Sequence, residues 1–115
     1  HITGGGLIDN PPRAFNENLT LKFDMKNFKL PPLFKWLKDK ANISLFELTK
    51  TFNCGIGFLI FVDKNDAQEI ISDINKIGYN AFIIGSMVEN NCEKNVVFDG
   101  WNFWKIKFLN ICFNA

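Results

Sequence analysis

The sequence predicts an α/β (α+β) domain, because strand patterns and helix patterns alternate along one chain of 115 residues. Residues 19–25 alternate apolar and polar side chains, which indicates a strand with one buried face. Residues 56–62 form a continuous apolar run of strand length. Residues 66–77 then place apolar side chains at helical spacing. These patterns favour a β-sheet with helices packed against it.

The composition is that of a folded chain with no electrostatic bias. Hydrophobic residues make up 47%, and 13 residues are phenylalanine, so a core can form. The 13 basic and 12 acidic residues give a net charge of +1, which argues against binding to nucleic acid or to an anionic membrane. The 3 cysteines are far apart, and their spacing suggests neither a zinc site nor a disulfide framework. No apolar run is long enough to span a bilayer.

Three consecutive glycines, Gly4 to Gly6, lie near the start of the sequence and are followed by residues that can start a helix. Glycine allows backbone conformations that other residues avoid, and free amides before a helix can bind an anion. The segment lacks the Gly-Lys-Ser/Thr ending of a nucleotide P-loop, so a turn without a ligand is the alternative. The helix is predicted from residue 7 to residue 15, and Pro11 and Pro12 are expected to limit it.

The next elements are a strand over 19–25 and two short helices. Pro31 and Pro32 interrupt the chain, and a helix is predicted over 32–41 because proline is tolerated in a first turn. Ser44 and Glu47 have the spacing of a capping box, which predicts a helix over 45–51. Capping explains Glu47 without any catalytic role.

The second half is predicted to form a βαβ-like unit, with the relative direction of its strands left open. The apolar run 56–62 is interpreted as a central strand covered on both faces. A helix over 66–77, capped by Asp63 or Asn65 and stopped at Gly78, leads to a strand over 81–85. Residues 86–95 are predicted to be a loop and residues 95–99 a short strand.

Residues 1–99 are assigned to one domain and residues 100–115 to an apolar tail of unknown role. The tail concentrates large apolar side chains around two lysines. An extra strand, an interfacial membrane anchor and an unrelated extension are the alternatives.

Several short motifs follow one another in a characteristic order. They are His-Ile-Thr-Gly-Gly-Gly-Leu at 1–7, Asn10, Pro12 and Arg13, then Pro31, Phe34, Trp36 and Leu37, then Thr-Phe-Asn-Cys-Gly-Ile-Gly at 51–57, and finally Gly78, Ala81, Ile84 and Gly85. This series resembles the C-terminal domain of the aminoimidazole ribonucleotide synthetase (phosphoribosylformylglycinamidine cyclo-ligase) family. The chain departs from the family pattern at Pro11, where an apolar residue is usual, and at Lys50, where arginine is usual.

The resemblance implies a mixed β-sheet flanked by helices and a part in purine biosynthesis. Members of the family use ATP to close the ring of formylglycinamidine ribonucleotide, which yields aminoimidazole ribonucleotide. ATP and Mg²⁺ are expected to be held mainly by an N-terminal domain outside this sequence. The chain is therefore expected to be a fragment of a larger cytoplasmic enzyme that is a homodimer when complete. The fragment alone is expected to bind no cofactor and to be inactive, with no nucleic-acid or membrane partner.

The same resemblance suggests which residues hold the substrate or a phosphate group. They are Thr3, Gly4, Gly5, Gly6, Arg13, Thr51 and Asn53. His1 is the only histidine and a candidate general base, although the sequence supplies no partner to orient it. No metal ligands are predicted. The two glycine-containing segments are expected to converge in space, with Gly5 exposed. A non-catalytic relic or interaction module that keeps the fold is the alternative function.

Overall fold

The computed structural model describes residues 1–91 and 93–101. Its helices are α1 (Gly6–Asp9), a 3-10 helix (Pro11–Ala14), α2 (Pro32–Ala41), α3 (Leu45–Thr51) and α4 (Ala67–Lys76). Its strands are β1 (Leu19–Asp24), β2 (Gly85–Glu89) and β3 (Val96–Asp99). The predicted tail lies outside the described residues from residue 102 onward.

The described strands form a mixed sheet in the order β2-β1-β3. Strand β1 is antiparallel to β2, with Leu21 opposite Met87, and parallel to β3, with Phe23 paired with Phe98. The alternation predicted from the sequence is present over residues 21–24, where Leu21 and Phe23 are buried and Lys22 is exposed, whereas Thr20 is buried as well. The predicted mixed sheet flanked by helices is therefore confirmed.

The core lies between the sheet, α1 and α3. Its buried apolar side chains are Ile2, Leu7, Leu21, Phe23, Met25, Leu48, Cys54 and Ile56. The ring of Phe23 is fully buried and stacks on Phe98, with centroids 4.9 Å apart. The core thus unites both glycine-containing segments with the central strand.

The predicted boundaries of the middle helices are confirmed. The hydroxyl of Ser44 accepts a hydrogen bond from the Glu47 amide at 3.1 Å and caps α3. Helix α2 begins at Pro32 as expected, and it ends at Asn42, which has a left-handed φ of 51°. The helix predicted over 7–15 is wrong as a single element, because it is divided into α1 and the 3-10 helix where the two prolines begin.

The predicted βαβ-like unit is wrong, because neither of its two predicted strands forms where the sequence placed it. Residues 56–62 belong to no described strand, and residues 81–84 are likewise outside the sheet. The sheet strand instead begins at Gly85, so β2 occupies the first part of the segment predicted to be a loop. The physical reason is that an apolar run becomes a central strand only if neighbouring strands lie beside it, and the described residues place β1 next to β2 and β3 instead.

This arrangement leaves two apolar segments exposed, 58–62 and 77–83. Phe58 is 69% exposed, Ile60 is 59% exposed and Tyr79 is 71% exposed. Helix α4, which joins the two segments, has no fully buried residue although its apolar face was predicted from the sequence. Contiguous exposed apolar surface favours association with other proteins or with further copies.

We therefore expect the 115-residue chain to self-associate through these segments. Replacing Phe58 and Ile60 with glutamate should shift the population toward monomer, because charged side chains resist burial. Sedimentation velocity over a range of protein concentrations measures this shift. Leu33→Glu is the matched control, since Leu33 is 66% exposed on α2. Equal association of the control and the Phe58/Ile60 variant would show that other surfaces are responsible.

Among residues 1–91 and 93–101, no helix has the length and apolar character needed to cross a membrane.

Candidate functional site

The two glycine-containing segments are in direct contact, as predicted. The amide of Ile2 donates a hydrogen bond to the carbonyl of Gly57 at 2.9 Å, and the side chains of Ile2 and Ile56 are both buried. Helix α1 also packs against α3. At this contact Gly6 has a φ of +57°, and a Cβ there would overlap the carbonyl oxygen of Thr49. The sequence 1–7 is thereby fixed next to the turn at 53–57.

The glycine loop, residues 3–6, is a hydrogen-bonded turn. The Gly6 amide donates to the carbonyl of Thr3 at 2.9 Å, and the Thr3 amide donates to Oδ1 of Asn10 at 2.6 Å. Within the described part of the chain, the amides of Gly4 and Gly5 have no acceptor. Gly4 is exposed, and a Cβ at that position would meet nothing within 4 Å. These two amides are the donors of the loop that are free to bind an anion.

Gly5 differs from the expectation that it is exposed. It is half-buried, and a Cβ there would lie 2.6 Å from Nδ2 of Asn10. A side chain at Gly5 would therefore displace the Asn10 carboxamide, whereas a side chain at Gly4 would not. Gly4 is the position at which the open face of the loop can be changed with the least effect on the fold.

The facing segment is a tight turn built on Asn53. Its carbonyl accepts from the Ile56 amide at 2.9 Å, and its Oδ1 accepts from the Gly55 amide at 2.9 Å. Cys54 and Gly55 both have positive φ, at 54° and 90°. The side-chain oxygen of Asn53 thus stabilises a turn that strains ordinary residues. Thr51 is exposed where α3 ends, immediately before this turn.

Cys54 is a core residue and not a nucleophile. Its side chain is fully buried, and Sγ lies 3.7 Å from the carbonyl oxygen of Phe52. Burial raises the pKa of the Cys54 thiol to about 11. A thiol with this pKa stays protonated at neutral pH, and the thiolate is the reactive form.

Arg13 and His1, the two remaining residues predicted for the site, are both exposed. Arg13 belongs to the 3-10 helix, and among the residues the structure describes no carboxylate forms an ion pair with it. The ring of His1 lies against Phe58, with centroids 5.3 Å apart. In residues 1–91 and 93–101 no cluster of three or more histidine, cysteine or acidic side chains has metal-binding geometry.

Asn10 is the residue of this region to which the sequence reasoning gave no role. In the sequence, Asn10 is only one member of a motif. In the structure it is 9% exposed and contacts the glycine loop.

Comparisons with known proteins agree with the motif order. Residues 1–97 match the family described as AIR synthase related protein, C-terminal domain. A phosphoribosylformylglycinamidine cyclo-ligase of Burkholderia multivorans is 44% identical over 87 residues, which is 76% of this chain and 25% of that protein.

Two longer eukaryotic proteins also match. The bifunctional purine biosynthetic protein ADE1 of Schizosaccharomyces pombe is 38% identical over 89 residues, covering 77% of this chain and 11% of that protein. The trifunctional purine biosynthetic protein adenosine-3 of Homo sapiens is 40% identical over 88 residues, covering 76% of this chain and 9% of that protein. The chain spans about a quarter of the cyclo-ligase it matches and less of the multifunctional proteins. It belongs to the AIR synthase family and carries the C-terminal domain of that family over residues 1–97.

Proposed function

We propose that this chain forms one wall of the active site of a phosphoribosylformylglycinamidine cyclo-ligase. The observation that carries the proposal is the pair of acceptor-free amides at Gly4 and Gly5, held beside the Asn53 turn by the Ile2–Gly57 hydrogen bond. Backbone amides of this kind bind phosphate oxygens. Both formylglycinamidine ribonucleotide and ATP carry phosphate, so one loop chemistry serves either ligand.

In this proposal the residues of the chain bind and orient rather than react. Gly4 and Gly5 donate to phosphate oxygens, and the exposed guanidinium of Arg13 adds positive charge. Thr3, Thr51 and the side-chain Nδ2 of Asn53 supply further polar groups beside the glycine loop. Gly6 contributes through its backbone conformation, since its own amide already donates to Thr3. His1 is kept as a candidate base, with its ring beside Phe58.

ATP and Mg²⁺ are proposed to be held mainly by the remainder of the complete enzyme. The free amides at Gly4 and Gly5 fit a phosphate, whereas the described residues offer no cluster suited to the metal. When bound, ATP supplies the phosphoryl group that turns the formyl oxygen of the substrate into a leaving group. An amidine nitrogen would then attack the formyl carbon and close the ring, as the bond from that carbon to the phosphorylated oxygen breaks and phosphate leaves. The complete enzyme is proposed to be a cytoplasmic homodimer.

The proposal predicts that the chain is inactive alone and active in the context of a whole enzyme. Residues 1–97 should be exchanged into the Burkholderia multivorans cyclo-ligase, because the two proteins are 44% identical over 87 residues. We expect this chimera to form aminoimidazole ribonucleotide and to rescue a purine auxotroph. We expect the 115-residue chain by itself to give no turnover above a blank.

Two outcomes would contradict the proposal. A folded chimera that binds neither substrate nor ATP would favour the non-catalytic relic or interaction module. Turnover by the chain alone would show that the whole catalytic apparatus lies within it. Circular dichroism and thermal unfolding of the chimera are needed beside the assay, so that a misfolded protein is not mistaken for an inactive one.

A further inference from the structure

Asn10 follows α1 directly, and its carboxamide lies against the glycine loop. Its Oδ1 accepts hydrogen bonds from the Thr3 amide at 2.6 Å and from the Thr3 hydroxyl at 3.4 Å. Its Nδ2 lies 2.6 Å from the place that a Cβ on Gly5 would occupy. One side chain therefore contacts both Thr3, where the loop begins, and Gly5.

The position of Asn10 is fixed by burial as well as by hydrogen bonds. The residue is 9% exposed, so its carboxamide is largely withdrawn from water. A buried polar group is stable only when it has hydrogen-bond partners, and Thr3 supplies them for Oδ1 of Asn10. The neighbouring Leu7 is fully buried in the core, which anchors α1 and the residue that follows it.

A loop of consecutive glycines has a large conformational freedom that must be lost before its amides can point at one ligand. The hydrogen bond from Thr3 to Asn10 turns the Thr3 amide inward, and the bond from Gly6 to Thr3 closes the turn. Within the glycine loop, the backbone amides of Gly4 and Gly5 are then the ones left without an acceptor. Ordering a binding loop in advance increases affinity, because binding no longer has to supply the ordering.

We propose that Asn10 is a positioning residue that orders the glycine loop for phosphate binding. The inference rests on the function proposed above, and it assigns to Asn10 a role that acts through the amides of Gly4 and Gly5. A purely structural role would lower stability alone, whereas a positioning role changes the binding of a phosphate-bearing substrate. The two roles therefore differ in what a substitution does to KM.

The test uses the chimera and measures KM for formylglycinamidine ribonucleotide and for ATP, the two phosphate-bearing ligands of the proposed function. Asn10→Ala removes the oxygen that accepts the hydrogen bonds of Thr3. We expect KM to rise about tenfold with a smaller change in kcat, because a disordered loop binds the ligand more weakly in the ground state. Asn10→Asp retains an acceptor oxygen but adds negative charge beside the phosphate site. We expect its KM to rise as well, with a rise that shrinks at high salt because salt screens the repulsion.

Thr20→Val is the matched control. The Thr20 hydroxyl is also buried and donates to the carbonyl of Lys94 at 2.6 Å, but it lies in β1. Its loss should lower the thermal midpoint and leave KM unchanged. If Asn10→Ala changed KM no more than Thr20→Val does, the positioning role would be refuted while the proposed function stood.

Hydrogen exchange measured by mass spectrometry separates the two proposals even if the chimera is inactive. In a folded chimera, a peptide covering residues 1–7 should exchange faster in Asn10→Ala than in Asn10→Asp or the unchanged chimera. Equal exchange in all three would overturn the role of Asn10. An inactive chimera with the expected exchange difference would overturn the proposed function and leave the ordering of the loop by Asn10 in place.

Discussion

Replacing Gly6 with alanine is expected to be among the most destabilising single changes in this chain. Gly6 has a φ of +57°, a conformation that costs a residue with a side chain about 1–3 kcal/mol. The added Cβ would also overlap the carbonyl oxygen of Thr49 and lie 2.9 Å from the carbonyl carbon and oxygen of Lys50. Because these are backbone atoms of α3, α1 would have to move away, at a further cost of about 1–3 kcal/mol.

Denaturant unfolding of Gly6→Ala and Gly4→Ala measures this difference. Gly4 lies in the same loop, but a Cβ there would meet nothing within 4 Å. We expect Gly4→Ala to leave the free energy of unfolding nearly unchanged or slightly higher, since alanine restricts the unfolded chain. Equal stability of the two variants would mean that the contact between α1 and α3 does not constrain the loop.

Replacing Phe23 with alanine is expected to have an effect of similar or larger size. Phe23 is fully buried in β1, the central strand of the sheet, and its ring stacks on Phe98 of β3. Truncation of a buried phenylalanine leaves a cavity and typically costs about 3–5 kcal/mol. Since small domains are stable by only about 5–15 kcal/mol, this variant should unfold at much lower temperature.

The control for Phe23→Ala is Trp36→Ala. Trp36 is a larger aromatic residue but is 57% exposed on α2, so its truncation should cost much less. The thermal midpoints of the two variants, measured by circular dichroism, give the comparison. A lower midpoint for Trp36→Ala than for Phe23→Ala would contradict the central place of β1 in the core.

The elements predicted correctly from the sequence are those whose signals are local. The capping pair of Ser44 and Glu47 marks the start of α3 without reference to any other part of the chain. The alternation in β1 likewise needs only the contrast between its two faces. The motif order identified the family, which the match over residues 1–97 confirms.

The errors in the second half arose where the outcome depends on partners distant in sequence. The apolar run 56–62 has the composition of a central strand, yet the described residues pair β1 with β2 and β3 instead. Residues 85–89 carry a less apolar pattern, but they lie beside β1 and become the strand. Periodicity alone does not specify which segments become neighbours.

The candidate site was predictable in its location and less so in its details. The contact between residues 1–7 and 53–57 agrees with the predicted convergence, through Ile2 and Gly57. The sequence could not show that the Gly6 amide is already bonded or that Asn10 supports the loop. Both depend on the path of a turn whose glycines allow many conformations. The binding roles of Thr3, Arg13, Thr51 and Asn53 stay predictions.

The central claim is that the amides of Gly4 and Gly5 hold a phosphate of formylglycinamidine ribonucleotide or of ATP. Its most direct test is the KM for each of these two ligands in the chimera carrying Gly4→Val, with Lys40→Val on the exposed end of α2 as the control. Valine should block the approach of a phosphate to the open face of the loop. Since hydrogen bonds to a charged group contribute about 1.5–3 kcal/mol, the loss of one should raise KM at least tenfold. KM values for both ligands equal to those of Lys40→Val, in a chimera that is folded and active, would contradict the claim.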